Sequence, residues 1–241
     1  YMADIYVKGN SEYIEIDLNK LKEIENCDPA YACFFYSYLV FQSMSLIWSS
    51  RNLKDCHLQD DITLSEGVKT GGEIVNAQRI KDTAFLAFLN EQDLIKLLDY
   101  SSIKLFSANE YITTEGGISD GINILLKGKV DASFNIQKQN VIEKNTRTIA
   151  RSGVALSLSA GLHVIKSPYS IKATRDTTVI KFSNDFIDNL IQKDPDLALK
   201  FLKRQLWQLG KYIQTSTGLS TYPAKDEAEL FNYLLNDNSS R

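Results

Sequence analysis

The first fifty residues change period twice. In "ADIYV" and "EYIEI" (residues 3–7 and 12–16) apolar and polar positions alternate, which predicts two short strands around a Lys8-Gly9-Asn10 turn. From Asp17 the spacing becomes helical: Leu18, Leu21 and Ile24 recur every third residue, and Asp17 is placed to cap the first turn. That helix must end before Asp28-Pro29, because the residue ahead of a proline is pushed out of the helical region. Pro29 fits the first turn of a new helix, which the run "PAYACFFYSYLVFQSMSLIWSS" carries to about Ser50.

Regular spacing is lost over residues 51–82, a polar stretch containing Gly71-Gly72 that is expected to be a linker. It returns in Ala84–Leu98 at helical spacing, split by Asn90 as a cap. The following "IKLFSANEYITTEGGISDGINILLKGKVDASFNIQ" reads as strands and turns in succession, punctuated by Gly116-Gly117, Gly121 and Gly128. More short strands are expected at Val141–Ile149, Leu156–Leu158, His163–Ile165, Tyr169–Ala173 and Val179–Phe182. Asn184 opens a last helical stretch, broken at Asp194-Pro195 and continuing to about Ile213; a polar tail with one short amphipathic helix, "AKDEAELFNYLL", follows.

The two Asp-Pro pairs lie 166 residues apart, at 28 and 194. Laying one on the other pairs Ile5 with Ile171, Ile14 with Ile180, Leu21 with Ile187, Ile24 with Leu190, Ala32 with Ala198 and Phe35 with Phe201. The shared order strand, turn, strand, helix, Asp-Pro, helix is the stronger sign of a repeat. Residues 1–50 then read as the back end of a unit whose complete copy occupies 83–213, with 51–82 between them and 214–241 as a tail. Beginning at Tyr1, the chain is expected to be a piece of a longer protein.

Composition narrows the function classes. A net charge of −3 over 241 residues leaves no basic footprint for nucleic acid or an anionic membrane. Cys27, Cys33 and Cys56 have no zinc-type spacing and His57 and His163 are far apart, so reduced thiols in a cytoplasmic protein and no metal are expected. The uncharged run from Pro29 to Ser50 is long enough to span a bilayer, but its five serines, three tyrosines and glutamine argue against it. A helix apolar on every side is instead expected to be covered by another domain or subunit, or to be the buried hinge between the two copies.

Within "NEYITTEGGISDGINILLKGKVDASF", the positions Glu110, Ile112, Gly116, Asp120, Ile124, Leu126, Gly128 and Val130 carry a pattern that resembles the cyclic nucleotide-binding domain family, with Ala108 in place of its first glycine. The resemblance implies an α+β fold: a jelly-roll-type β-roll, or double-stranded β-helix, flanked by helices. It also implies a phosphate-binding cassette of the form Phe-Gly-Glu, a turn, then Arg and small residues. In such a cassette, backbone N–H groups hold the cyclic phosphate, the Arg pairs with its charge and the Glu takes the ribose hydroxyl. Counting back from "SIKA" (Ser170–Ala173), the arginine position is Ser167, followed by Pro168; the glutamate position is Leu158 and the cassette glycine is Ser157. Gly153 matches the glycine that opens the turn. The stretch keeps the cassette's length and loses its charged groups. Lys166 would point to the opposite face of its strand from position 167, and Arg147 and Arg151 sit upstream where a lone arginine is usually solvated.

The resulting expectation is a non-enzymatic regulatory or scaffolding module of tandem cyclic nucleotide-binding-like domains, the second with a degenerate site and no cofactor. Phe34, Phe35, Leu39, Met44 and Trp48 would cover another domain of the parent protein, another subunit or a second copy. The alternative is a cAMP or cGMP sensor regulating an attached transporter, channel or enzyme domain. A helix-turn-helix regulator needs a further domain with a basic recognition helix, and only 28 residues, with an acidic helix, follow Ile213. No nucleophile elbow, P-loop or metal-spaced His/Cys set is present.

Overall fold

A computed structural model describes residues 16–49, 68–69, 85–118, 120–138, 141–157, 166–167 and 169–216. The chain divides into two compact units: Glu15–Leu209, and Tyr1–Ile14 with Gly210–Arg241. The second unit contributes only the end of the last helix to the described residues.

Asp17 caps helix α1 (Leu18–Cys27) as its position predicts, its carboxylate accepting from the Asn19 N–H at 2.8 Å. At the next corner the Asp28 N–H closes α1 onto the Ile24 carbonyl at 2.8 Å, while its carboxylate accepts from the Tyr31 N–H at 3.0 Å and starts helix α2 (Pro29–Ser49). Asp194 does the same between the last two helices. Its N–H meets the Leu190 carbonyl at 2.8 Å and its carboxylate accepts from the Leu197 N–H at 3.2 Å, joining α4 (Phe186–Lys193) to α5 (Pro195–Ser216). The backbone angles agree within a few degrees: φ −145 and ψ 78 at Asp28, φ −149 and ψ 77 at Asp194. One aspartate thus ends a helix with its backbone and begins the next with its side chain, and the following proline needs no N–H.

The carboxylates differ in setting. Burial pushes the Asp194 carboxyl upward, but the Lys96 hydrogen bond, the Leu197 N–H and the charges of Lys96 and Lys200 outweigh it and hold it below the usual 3.8. A depressed folded-state pKa means its stabilisation is complete above the unfolded value and is lost as pH falls through the folded one. Asp194→Ala is expected to cost about 1–2 kcal/mol at neutral pH and Asp28→Ala about 1 or less. Asp194→Asn should flatten the loss of stability below about pH 4; urea melts across pH 3–7 check both.

Among the described residues nine strands form two antiparallel sheets. The first has the order β1-β2-β9-β4-β7, from β1 (Val68–Lys69), β2 (Ser101–Phe106), β9 (Thr177–Ser183), β4 (Gly121–Lys127) and β7 (Ala155–Ser157). The second has the order β3-β8-β5-β6, from β3 (Tyr111–Thr113), β8 (Ser170–Ala173), β5 (Val130–Lys138) and β6 (Val141–Ile149). Between the sheets lie Phe106, Ile112, Leu125, Val130, Leu156, Ile171, Ala173 and Val179, all buried. The other face of the first sheet meets the helices: Phe182 of β9 packs on Phe186 of α4 (4.9 Å between ring centroids) and on Phe201 of α5 (6.0 Å). This is the helix-flanked β-roll of the α+β class that the sequence predicts.

Three local expectations shift. Residues 68–69, inside the expected linker, form the edge strand β1 opposite Leu105 and Lys104. Ahead of Asn90 the chain makes turns rather than helix; α3 (Glu91–Leu98) starts after it, with the Asp93 N–H on the Asn90 side chain at 2.7 Å. The residue before α4 is Asp185, not Asn184, and its side chain makes no cap hydrogen bond. The expected strands at 3–7, 12–16 and 163–165 and the helix at 224–235 lie outside the described residues.

Helix α2 has no charged residue yet is two-sided. Ala32, Cys33, Ser37, Val40 and Met44 are buried along one stripe, while Tyr31, Phe34 and Tyr38 are exposed on another. The buried side lies against α4, and the Cys33 thiol donates to the Pro195 carbonyl at 3.4 Å. Burial, helped by Asp196, pushes that thiol up to about 12, so it stays protonated at neutral pH. Beside it Glu25 of α1 accepts from the Tyr36 hydroxyl at 2.6 Å and pairs with Lys203 of α5. On α5, Arg204 is buried with its guanidinium 4.2 Å from the Trp207 ring centroid and its Nε–H on the Phe85 carbonyl at 3.2 Å. Of the five residues expected to form one covering face, Met44 points inward and Phe34 outward. Phe35 and Leu39 are half-buried, and the side chain of Trp48 lies outside the described residues. Among the described residues no helix is long and apolar enough to cross a membrane.

Candidate functional site

Strand pairing places the residues expected to form the cassette. Strand β7 lies beside β4, so Ser157 comes opposite Asn123; β8 follows the cassette and lies beside β3. Gly153, two residues before β7, takes φ 81. Its N–H meets the Leu125 carbonyl at 2.7 Å and its carbonyl accepts from the Phe85 N–H at 3.1 Å, so the turn it opens is stitched to β4 and to the segment before α3.

Ser157, where the resemblance implies glycine, is buried and its hydroxyl is fully engaged. It accepts from the Asn123 N–H at 3.0 Å and the Asn123 amide at 3.2 Å, and donates to the Gly121 carbonyl at 3.0 Å. Ser167, where an arginine would pair with phosphate, is 1% exposed. Its N–H meets the Gly117 carbonyl at 2.8 Å, its carbonyl accepts from the Gly116 N–H at 2.7 Å, and its hydroxyl donates to the Tyr169 carbonyl at 2.7 Å. A hydroxyl folded onto its own backbone carries no charge and presents no donor to an anion. Leu158 and Pro168 lie outside the described residues.

The other cations weighed for this role stand apart from it. Arg147 and Arg151 are exposed; Lys166 is exposed where it bridges to Ile118. Two open hollows, of about 480 and 440 Å³, are lined by residues such as Lys127, Thr174 and Arg175, and Tyr100, Lys104 and Lys181; neither includes Gly153, Ser157 or Ser167. Among the described residues no group of three His, Cys, Asp or Glu could hold a metal.

The β-roll motif residues act as architecture. Glu110 accepts the Ser107 N–H and closes the β2–β3 turn. Gly116 takes φ 74 in the loop that hydrogen-bonds Ser167. Asp120 pairs with Lys181 of β9. Gly128 takes φ 118 beside Thr177. The left-handed residue of the first turn is Asn109 (φ 76), immediately before Glu110. Asparagine tolerates that conformation better than alanine, which explains why the turn survives without glycine.

One constellation has no counterpart in the expected site. Ser102, Lys181, Asn123 and Ser157 stand opposite one another across β2, β9, β4 and β7. Asn123 and Lys181 lie two residues from the opposed pair Leu125 and Val179, so they share the face that carries the roll's core. Asn123 is 2% exposed, and its amide oxygen has no hydrogen-bond partner among the described residues. The signal was present as an asparagine inside the apolar run "GINILL", but only the register places it on the interior face.

No protein-family model and no curated protein matches the chain. Among solved structures it is similar to a cyclic nucleotide-binding domain from Methylobacillus flagellatus (16% identity, 58% of this chain and 76% of that one, TM-score 0.48). It is also similar to the N-terminal domain of a transcriptional regulator from Streptomyces coelicolor (13%, 57% and 94%, 0.46). A third is the regulatory subunit of a cAMP-independent protein kinase A from Trypanosoma brucei, a mutant bound to cAMP (18%, 58% and 49%, 0.45). At these identities and TM-scores none of them carries a ligand or an activity over to this chain.

Proposed function

We propose that the chain is a non-enzymatic regulatory or scaffolding module: a cyclic nucleotide-binding-like β-roll, preceded by the helix pair of a first copy, that does not bind cyclic nucleotide. The observation that carries this reading is Ser167, buried and hydrogen-bonded to its own loop at the position where a phosphate-pairing arginine is needed. Without that charge, a cyclic phosphate brought under the roll would lose its hydration with no cation at the arginine position in return. The module's output is then contact: α1 and α2 fastened to α4 and α5 through Glu25, Tyr36, Lys203 and Cys33, presenting the remaining surface to other domains of a longer protein.

A thermal melt of the full chain tests it. Millimolar cAMP or cGMP is expected to move the midpoint by less than about 0.5 °C. A site working at micromolar affinity would add roughly 3–4 kcal/mol at that concentration, or about 10 °C, and would overturn the reading. The sensor reading has one observation in its favour, the amide oxygen of Asn123 on the roll's interior face, which has no partner among the described residues.

A further inference from the structure

We propose that the hollow where three corners of the roll meet is an anion site for a phosphate monoester. The β2–β3 corner supplies Ala108, the β4–β5 corner Lys127 and Gly128, and the β8–β9 corner Thr174, Arg175 and Asp176. The hollow holds about 480 Å³ and includes none of Gly153, Ser157 and Ser167, so it is separate from the expected nucleotide site. The proposal therefore does not rest on the loss of nucleotide binding.

Its walls are held before any ligand arrives. The Thr174 N–H and hydroxyl both donate to the Lys129 carbonyl, at 2.9 and 3.1 Å, and the Thr177 hydroxyl donates to the Arg175 carbonyl at 2.7 Å. A Cβ at Gly128 would stand 2.7 Å from the Thr177 Cα, so the β4–β5 and β8–β9 corners lie in backbone contact. Arg175 is fastened to this floor, one terminal nitrogen donating to the Gly128 carbonyl at 3.1 Å. Its other N–H groups have no acceptor among the described residues. A guanidinium already tied at one corner has less freedom to lose when it meets an oxyanion.

Charge selects the ligand. Lys127 joins Arg175 in the hollow, and Lys129 and Arg151 are exposed at the same end of the roll. Arg151 precedes Ser152, whose hydroxyl donates to the Leu126 carbonyl at 2.8 Å. Among the described residues none of these four cations is in an ion pair, whereas Lys96, Lys181, Lys200 and Lys203 each have a carboxylate. Asp176 is the one described acid lining the hollow, and it pairs with neither Arg175 nor Lys127. Glu110 of the β2–β3 corner is engaged by the Ser107 N–H and does not line it. The surroundings are thus net positive although the chain carries −3, and a dianion gains about twice the attraction of a carboxylate there. A phosphate monoester supplies that charge, with oxygens for the arginine fork on one side and the lysine ammonium on the other. Soluble esters and lipid headgroups both present this group.

Nuclear magnetic resonance of the isotope-labelled full chain tests the site, with glycerol phosphate titrated at fixed ionic strength. The amide signals of residues 127–129 and 174–176 are expected to move along saturable curves with a Kd of about 1 mM. Arg175→Gln should weaken binding about tenfold and Lys127→Gln about threefold, the latter with an unchanged melting midpoint because that side chain is exposed. Arg175→Lys should recover only part of the loss, since an ammonium keeps the charge and lacks the fork. Asp176→Asn should tighten binding about twofold by removing a like charge. Flotation with phosphatidylcholine vesicles that contain phosphatidic acid, and not with phosphatidylcholine alone, would assign the site to a lipid headgroup. Saturation by glycerol phosphate without flotation would assign it to a soluble ester, and either result supports the proposal. Absence of both saturation up to about 20 mM and flotation overturns it. So do shifts that sodium chloride reproduces at equal ionic strength, or binding that Arg175→Gln leaves unchanged.

Discussion

Gly121→Ala is expected to remove about 4 kcal/mol of stability, a large share of the 5–15 kcal/mol typical of a folded domain. Gly121 opens β4 opposite Ser183, at φ 142, where an L side chain is strained whatever the space. A Cβ there would stand 1.9 Å from the Phe182 carbonyl oxygen and 2.9 Å from its carbon, inside backbone that cannot rotate away. Relief would require β4 and β9 to separate at the register that also holds Ile122 against Phe182. It would also pull the Gly121 carbonyl from the Ser157 hydroxyl, loosening the β7 end of the roll. Gly117→Ala is the matched control: its nearest obstacle is the Thr114 side-chain oxygen at 2.5 Å, which a rotamer change can move, so about 1 kcal/mol or less is expected. A thermal melt reads both. A fall of more than about 10 °C for Gly121→Ala beside one of a few degrees for Gly117→Ala supports the account, and equal shifts would refute it.

The second large effect is expected at Phe201. Its ring is fully buried and meets Phe186 at 4.9 Å, Phe85 at 5.5 Å and Phe182 at 6.0 Å, with the Phe186 and Phe85 rings near edge-on. One side chain of α5 therefore joins α4, the segment before α3 and the outer face of the first sheet. Phe201→Ala should cost about 3–5 kcal/mol, from lost burial, an unfilled cavity and three ring contacts. Phe201→Leu keeps most of the volume and should cost about half as much. Urea denaturation with an unchanged slope tests this. A loss below about 1.5 kcal/mol for the alanine variant would mean that the helix pair is held chiefly by the ion pairs of Lys96, Lys200 and Lys203 rather than by this cluster.

Much of the fold was legible because it depends on local spacing. The Asp-Pro corners are set by groups within four residues of one another: a proline that cannot donate, and an aspartate that reaches both the helix behind it and the one ahead. The matching angles at Asp28 and Asp194 show that the same local chemistry gives the same corner twice. Even so, the two pairs are buried differently. Ile187 and Leu190 are fully buried on α4, while their counterparts Leu21 and Ile24 on α1 are not, because only α4 has a sheet against it among the described residues.

The candidate site divides along the same line. That Ser157 and Ser167 carry no charge was readable from the sequence. That both hydroxyls are already spent was not, since their acceptors, the Gly121 and Tyr169 carbonyls, depend on how β4 and the loop before β8 are held. The row Ser102, Lys181, Asn123 and Ser157 draws one residue from each of four strands up to about eighty positions apart, so no window of sequence contains it. The two-residue strand β1 was hidden in polar sequence because its pairing with β2 uses backbone groups alone.

By itself, then, the sequence determined the periods, the helix breaks, the roll's punctuation and the uncharged side chains at Ser157 and Ser167, all matters of what a residue and its near neighbours can do. Only the tertiary structure decided which stripe of the uncharged α2 is covered, why Gly121 admits no side chain, and where Asn123 points. Each of those depends on backbone brought together from distant parts of the chain, and packing between such segments leaves no local trace in the order of the residues.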